Sequence, residues 1–126
     1  MISVPLLTAA IFTFVIGVIH SWLGERRLIG PRLSPQRRQG MLADSNYFRQ
    51  ILRATWHLMT LAWWGFGGIL GALAISPVNR QARTILVIIA LLFLACGLTI
   101  LITTRGRHLA WPVFLVVACL ALVPVL

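Results

Sequence analysis

Four apolar stretches, each long enough to cross a lipid bilayer as a helix, constrain this chain more than any other feature. They cover residues 4–23, 51–75, 84–104 and 109–126, with short polar segments between them. A helix needs about 20 apolar residues to span the hydrocarbon core. The pattern predicts an all-α fold, an integral membrane four-helix bundle that forms a single transmembrane domain over residues 1–126.

The composition supports a membrane protein. Apolar residues make up 60% of the chain and charged residues 10%, whereas a soluble domain has about 45–50% and about 25%. There is too little polar surface to cover a soluble globule, so lipid must cover the rest. The first stretch has no positive segment before it, and arginines follow it, so it is not a cleaved signal peptide and should remain in the protein.

The net charge of +9 raises the question of a nucleic-acid partner, which the positions of the charges exclude. Most arginines lie in short segments between the apolar stretches, where membrane proteins keep their cytoplasmic positive charge. The expected partners are therefore the lipid bilayer and its anionic headgroups. Each arginine near the surface adds about 1 kcal/mol of attraction to such headgroups.

The arginines also predict the orientation. Nine arginines lie in the loop over residues 24–50, at the start of the second helix and in the third connection: Arg26, Arg27, Arg32, Arg37, Arg38, Arg49, Arg53, Arg105 and Arg107. The second connection carries only two, Arg80 and Arg83. By the positive-inside rule, loop 24–50 is cytoplasmic and both termini are non-cytoplasmic. The expected location is the bacterial inner (plasma) membrane, with several passes.

Several classes of chemistry lack the residues they need. The only acids are Glu25 and Asp44, and both lie outside the spans, which argues against a proton-coupled transporter with a titratable acid in the membrane. There is no pair of acids for general acid–base catalysis and no nucleophile elbow around a serine. Cys96 and Cys119 stand singly in apolar stretches and are expected to act as small hydrophobic side chains.

The three histidines are the strongest candidates for a site. His20, His57 and His108 all fall in the cytoplasmic leaflet of the predicted topology. At a rise of 1.5 Å per residue, His20 and His57 lie roughly 5 and 9 Å below the interface. Because they sit on consecutive antiparallel helices at similar depth, their rings are candidates for one shared ligand.

Haem b is the first candidate ligand. Its axial imidazoles would come from two helices at matched depth, as His20 and His57 do. Gly17, one turn from His20, would leave room for the macrocycle. Arg49 and Arg53 lie where the propionates would emerge.

A divalent transition metal is the second candidate. His20, His57 and His108 would supply imidazole nitrogens and Glu25 an oxygen. The spacing of these residues matches no diagnostic metal motif. The competing interpretation is that each histidine hydrogen-bonds a neighbouring helix, as polar residues within membranes often do.

Small residues on the second helix predict close helix packing. Gly67 and Gly71 form a small-xxx-small step, which lets two helix backbones approach each other. The contact lies either within the bundle or with a partner, and the chain is expected to form a homo-oligomer or to bind another membrane protein. Trp63 and Trp64, deep in the same helix, are expected to fill a core or to face lipid.

Three classes of function follow from these residues. The first is a small inner-membrane protein with a histidine-based haem or metal site at the cytoplasmic leaflet. The alternatives are a non-catalytic accessory or assembly subunit of a membrane complex, and a small channel or transporter. The residues do not decide whether the protein is an enzyme.

The orientation can be tested by labelling single cysteines from one side of the membrane. A cysteine at Gly40 should react from the cytoplasmic face and one at Asn79 from the opposite face, because of the nine-to-two arginine bias. Labelling of the Asn79 position from the cytoplasmic face alone would reverse the topology.

Overall fold

The computed structural model describes residues 1–30 and 46–126. Four helices, which we number in chain order, make up most of this part: α1 (Val4–Leu23), α2 (Asn46–Ala74), α3 (Arg80–Thr103) and α4 (Ala110–Leu122). A π-helical turn, Gly24–Ile29, continues α1, and a 3-10 turn, Val123–Val125, follows α4. The predicted all-α class and four-helix bundle are confirmed. Residues 31–45 of the predicted loop, with Arg32, Arg37, Arg38 and Asp44, lie outside the described residues.

Three of the helical segments are long and apolar enough to span a membrane: Val4–Ile29, Tyr47–Ala74 and Arg80–Thr103. The fourth, Ala110–Val125, is shorter. At 1.5 Å per residue it covers about 24 Å, somewhat less than the roughly 30 Å of a bilayer core. The chain is thus a membrane protein by composition and helix length.

The observed helix ends differ from the predicted ones for local reasons. Asn79 caps α3 through a 2.8 Å hydrogen bond from the Ala82 backbone N–H, so α3 begins at Arg80 rather than at residue 84. The polar side chain of Asn79 satisfies a backbone donor that the helix itself leaves unpaired. At the other end, Arg105 and Gly106 adopt φ of 50° and 75°, and the Gly106 N–H returns to the Leu101 carbonyl at 2.9 Å. This left-handed turn ends α3.

The bundle consists of two antiparallel hairpins. Helix α1 packs along α2, α3 packs along α4, and α1 against α4 joins the hairpins. A short connection usually makes two helices antiparallel neighbours, yet α2 and α3 pack on each other over only a short stretch. The five-residue connection between them, residues 75–79, constrains only their ends, and α2 packs mainly on α1.

Small side chains and a few large ones fill the centre. Alanines from all four helices are buried there together with Leu6, Leu70, Leu86, Phe93 and Phe114. Lipid tails are as apolar as leucine, so helices in a membrane gain stability from close packing rather than from burial away from water. The alanines allow this close approach.

The predicted small-residue step on α2 faces α1. A Cβ added at Gly67 would lie 3.0 Å from the Phe14 ring and 3.4 Å from the Ala10 carbonyl, and one at Gly71 would lie 3.9 Å from the Ala10 Cβ. The step therefore serves packing within the bundle. Neighbouring Gly68 has nothing within 4 Å of an added Cβ.

Replacing Gly67 by leucine should weaken the α1–α2 contact. The new side chain would overlap Phe14 and the α1 backbone, at a cost of about 1–3 kcal/mol. Gly68→Leu makes the same change in open space and should leave stability nearly unchanged. Unfolding in mixed micelles would compare the two variants, and equal losses in both would contradict this packing.

Candidate functional site

Two tryptophans of α2 occupy the positions where α1 has glycines. The Trp64 Nε1–H donates to the Phe14 carbonyl at 3.2 Å, and a Cβ at Gly17 would approach that indole nitrogen to 2.5 Å. About two helical turns further along the chain from Gly17, the Trp56 indole lies where an added Cβ of Gly24 would be. Each indole is therefore seated against the α1 backbone, and only glycine leaves enough space.

His20 is held between rings of α2. Its imidazole stacks flat on Trp56, with centroids 4.3 Å apart and planes 4° from parallel. The Trp56 Nε1–H donates to the His20 backbone carbonyl at 3.1 Å. Trp63 contacts the same imidazole at 4.7 Å and 59°. The Nε2 of His20 is buried and has no hydrogen-bond partner among the described residues.

His57 has a different set of partners. Its Nδ1 lies 2.9 Å from the Ser21 hydroxyl, and its Nε2 lies 3.5 Å from Glu25 Oε2. The carboxylate favours a proton on Nε2, so Nδ1 accepts from Ser21 in the neutral ring. Ser21 Oγ also lies 2.9 Å from the hydroxyl of Thr60, a residue that is 2% exposed.

Glu25 completes this chain of polar contacts at the surface of the bundle. The Arg53 guanidinium donates to both carboxylate oxygens, from Nη2 at 2.5 Å and from Nε at 3.2 Å. Both side chains are partly exposed, 54% for Arg53 and 38% for Glu25. We call Thr60, Ser21, His57, Glu25 and Arg53 the polar network; it joins α1 and its π-helical turn to α2.

A cavity of about 340 Å³ lies beside His20, at the end of the bundle that carries Arg27 and Arg107. We call it the arginine-end cavity. His108 and Trp56 also line it, and most of the remaining wall is apolar, including Ile16, Ile19 and Leu109. No acidic side chain is among the described residues that line it. The His108 Nδ1 accepts from the Ala110 backbone N–H at 3.1 Å, which fixes this ring at the start of α4.

The predicted metal ligands do not form a cluster. Within residues 1–30 and 46–126, no three side chains of His, Cys, Asp or Glu come together as metal ligands would. Glu25 and His57 lie in the polar network, whereas His20 and His108 line the arginine-end cavity. The four residues are thus divided between the polar network and the arginine-end cavity.

The space expected for haem is also occupied. Trp64 and the Thr60 methyl fill the volume beside Gly17, and Trp56 covers a face of His20. Arg53, expected near the propionates, is paired with Glu25, and Arg49 lies one turn before it on α2. Gly17 makes room for an indole rather than for a macrocycle, and the structure gives the haem prediction no support.

Sequence reasoning missed Ser21 and the roles of Arg27 and Arg107. A signal for Ser21 was available, because Gly17, Ser21 and Glu25 repeat every four residues and so share one face of α1. The two arginines were counted only as topology signals, since a loop sequence does not show which cavity its side chains border.

Comparison with known proteins identifies no relative of this chain. Neither a protein-family model, nor a curated protein, nor a solved structure matches the chain.

A double-mutant cycle on Ser21→Ala and His57→Ala tests the polar network. Hydrogen bonds between helices in membranes contribute about 0.6 kcal/mol on average and about 1.7 kcal/mol at most, so a coupling energy in this range is expected. The control is a second cycle on Thr99→Ala and His57→Ala. The Thr99 hydroxyl donates to the Ala95 carbonyl within its own helix. A coupling no larger than that of the control would contradict the direct Ser21–His57 contact.

Proposed function

We propose that this protein binds an anionic amphiphile in the membrane leaflet at its arginine-rich end. The observation that carries the proposal is the arginine-end cavity, which combines two guanidinium groups with an apolar wall. Its volume of about 340 Å³ lies in the usual range of ligand pockets, about 300–1,000 Å³. The ligand site stays beside the predicted histidines His20 and His108, and an amphiphile takes the place of haem or metal as the ligand.

The charge of the cavity favours an anion. Arg27 and Arg107 approach it from the end of α1 and from the α3–α4 connection. Glu25, the acid closest to Arg27 along the chain, is held by Arg53 and His57 in the polar network. Guanidinium groups bind phosphate and carboxylate through paired hydrogen bonds, so the headgroup class is a phosphate or carboxylate.

The wall of the cavity favours a ligand with a hydrocarbon part. Ile16 and Ile19 of α1 and Leu109 before α4 form part of it, and they lie on the membrane side of the arginines along the chain. A free inorganic anion would leave this wall without a partner. An amphiphile would use both parts, with its charge at the arginines and its chain along α1.

In the predicted orientation this leaflet is the cytoplasmic half of the inner (plasma) membrane, where anionic lipids attract basic side chains. The protein then acts as a binding protein for such a lipid. The accessory-subunit and the channel or transporter alternatives stay predictions, as does assembly into a homo-oligomer.

The binding test uses two amphiphiles with the same chain. Protein in neutral detergent is mixed with dodecyl phosphate or with zwitterionic dodecylphosphocholine, and native mass spectrometry measures the retained fraction. Dodecyl phosphate should be retained preferentially. Arg27→Gln and Arg107→Gln should each weaken its retention about tenfold, which corresponds to about 1.4 kcal/mol and is typical of one charged hydrogen bond.

Arg80→Gln is the matched control, because it removes the same charge from the opposite end of the bundle. An equal loss in Arg80→Gln would show general charge attraction and contradict the site. A third arm adds inorganic phosphate. If inorganic phosphate alone displaced dodecyl phosphate completely, the ligand would be a soluble anion rather than a lipid.

A further inference from the structure

A second cavity, of about 240 Å³, lies between α2, α3 and α4. We call it the aromatic cavity, because Trp63, Phe66, Phe93 and Phe114 line it. The rings contact each other edge to face: Trp63 with Phe114 at 5.0 Å, Phe114 with Phe93 at 5.4 Å, and Phe93 with Phe66 at 6.0 Å. The four rings thus form a continuous series of edge-to-face contacts along the cavity wall.

The aromatic cavity follows from the architecture of the bundle. Helix α2 packs along α1 and α3 along α4, while α2 and α3 contact each other over only a short stretch. The side chains from the two hairpins do not meet fully at this seam, and the gap remains. It is distinct from the arginine-end cavity, and no residue lines both.

The lining is poorly suited to water. Its eight side chains offer only the Trp63 indole N–H and the weakly polar sulfur atoms of Met59 and Cys96 as hydrogen-bonding groups, and a buried water needs two to four polar partners. An apolar guest suits this space, since an engineered apolar cavity of about 150 Å³ stays dry and binds benzene.

The position of the cavity in the spans identifies the guest. Met59 and Leu92 line it and are also 48% and 41% exposed on the outer surface of the bundle. Both belong to helical segments long and apolar enough to cross a membrane, so the surface around the opening is in contact with lipid. The molecules present there at high concentration are hydrocarbon chains.

We infer that the aromatic cavity binds one acyl chain of a bilayer lipid, which fills the seam between α2 and α3. The chain adds packing where α2 and α3 contact each other only over a short stretch. This site is independent of the proposed function, because it recognises hydrocarbon alone and shares no residue with the arginine-end cavity.

Photo-crosslinking in bilayers tests this site. The protein is reconstituted in phosphatidylcholine that carries a diazirine in one acyl chain, and the labelled residues are mapped by mass spectrometry. Leu58 and Leu91 are 60% and 59% exposed and lie outside the cavity lining, so a chain without a preferred site should label them most. A bound chain should instead label partly buried Trp63 and Cys96 severalfold more than these two leucines.

Ala62→Phe fills the cavity from the α2 side and should bring the labelling of Trp63 and Cys96 down to or below that of the leucines. Ala72→Phe makes the same substitution on α2 outside the lining and should leave the pattern unchanged. If Ala62→Phe does not fold, Cys96→Leu fills the cavity from α3, with Trp63 as the reporter. Labelling of Leu58 and Leu91 above Trp63 in the wild type, or an unchanged pattern in the folded filling variant, would overturn the inference.

Retention of dodecyl phosphate separates this inference from the proposed function. The filling variants should retain dodecyl phosphate as the wild type does. A filling variant that lost both the chain labelling and the dodecyl phosphate would show one shared site, and would overturn the assignment of a separate acyl-chain site.

Discussion

The stack of Trp56 on His20 is the contact on which the rest of the site depends. The indole lies flat on the imidazole at 4.3 Å, donates its N–H to the carbonyl of the same histidine at 3.1 Å, and occupies the space that Gly24 leaves open. The next residue along the chain after Trp56, His57, lies in the polar network with Ser21 and Glu25. His20 and Trp56 themselves form part of the wall of the arginine-end cavity.

The stack also explains why a four-helix bundle in lipid keeps a cavity at one end. Helices in a membrane are held by close packing and by hydrogen bonds rather than by burial away from water. Helices α1 and α2 obtain both from the two tryptophan–glycine contacts and the polar network. The π-helical turn Gly24–Ile29 continues α1 past this contact, and its Arg27 borders the cavity.

The sequence predicted the helices well, because apolar length and arginine position act on whole segments. The span of α1 over residues 4–23 and the placement of all three histidines near one end depend only on such segment properties. The ends of α2 and α3 were less accurate, since the Asn79 cap depends on a single side chain. The sparse contact between α2 and α3 could not be predicted from the short connection between them. A short connection brings the ends of two helices together but does not determine whether they pack along their length.

The sequence predicted that His20 and His57 lie at similar depth, and the structure places both near the same end of the bundle. The contacts of a ring, however, depend on the rotation of its helix and on its rotamer. These are decided by the neighbours, here Trp56 for His20 and Ser21 for His57. Nothing in the local sequence shows that the Trp56 indole inserts between two helices against a glycine.

Solid-state NMR of the protein in lipid bilayers, with isotopic labels on the His20 and Trp56 rings, would test this account most directly. The structure predicts a direct through-space correlation between the imidazole and the indole, because the ring centroids are 4.3 Å apart. It also predicts an indole N–H shifted by its hydrogen bond to the His20 carbonyl. A His20 ring that correlates with His57 and shows no contact with Trp56 would contradict the account, and would restore the shared-ligand hypothesis.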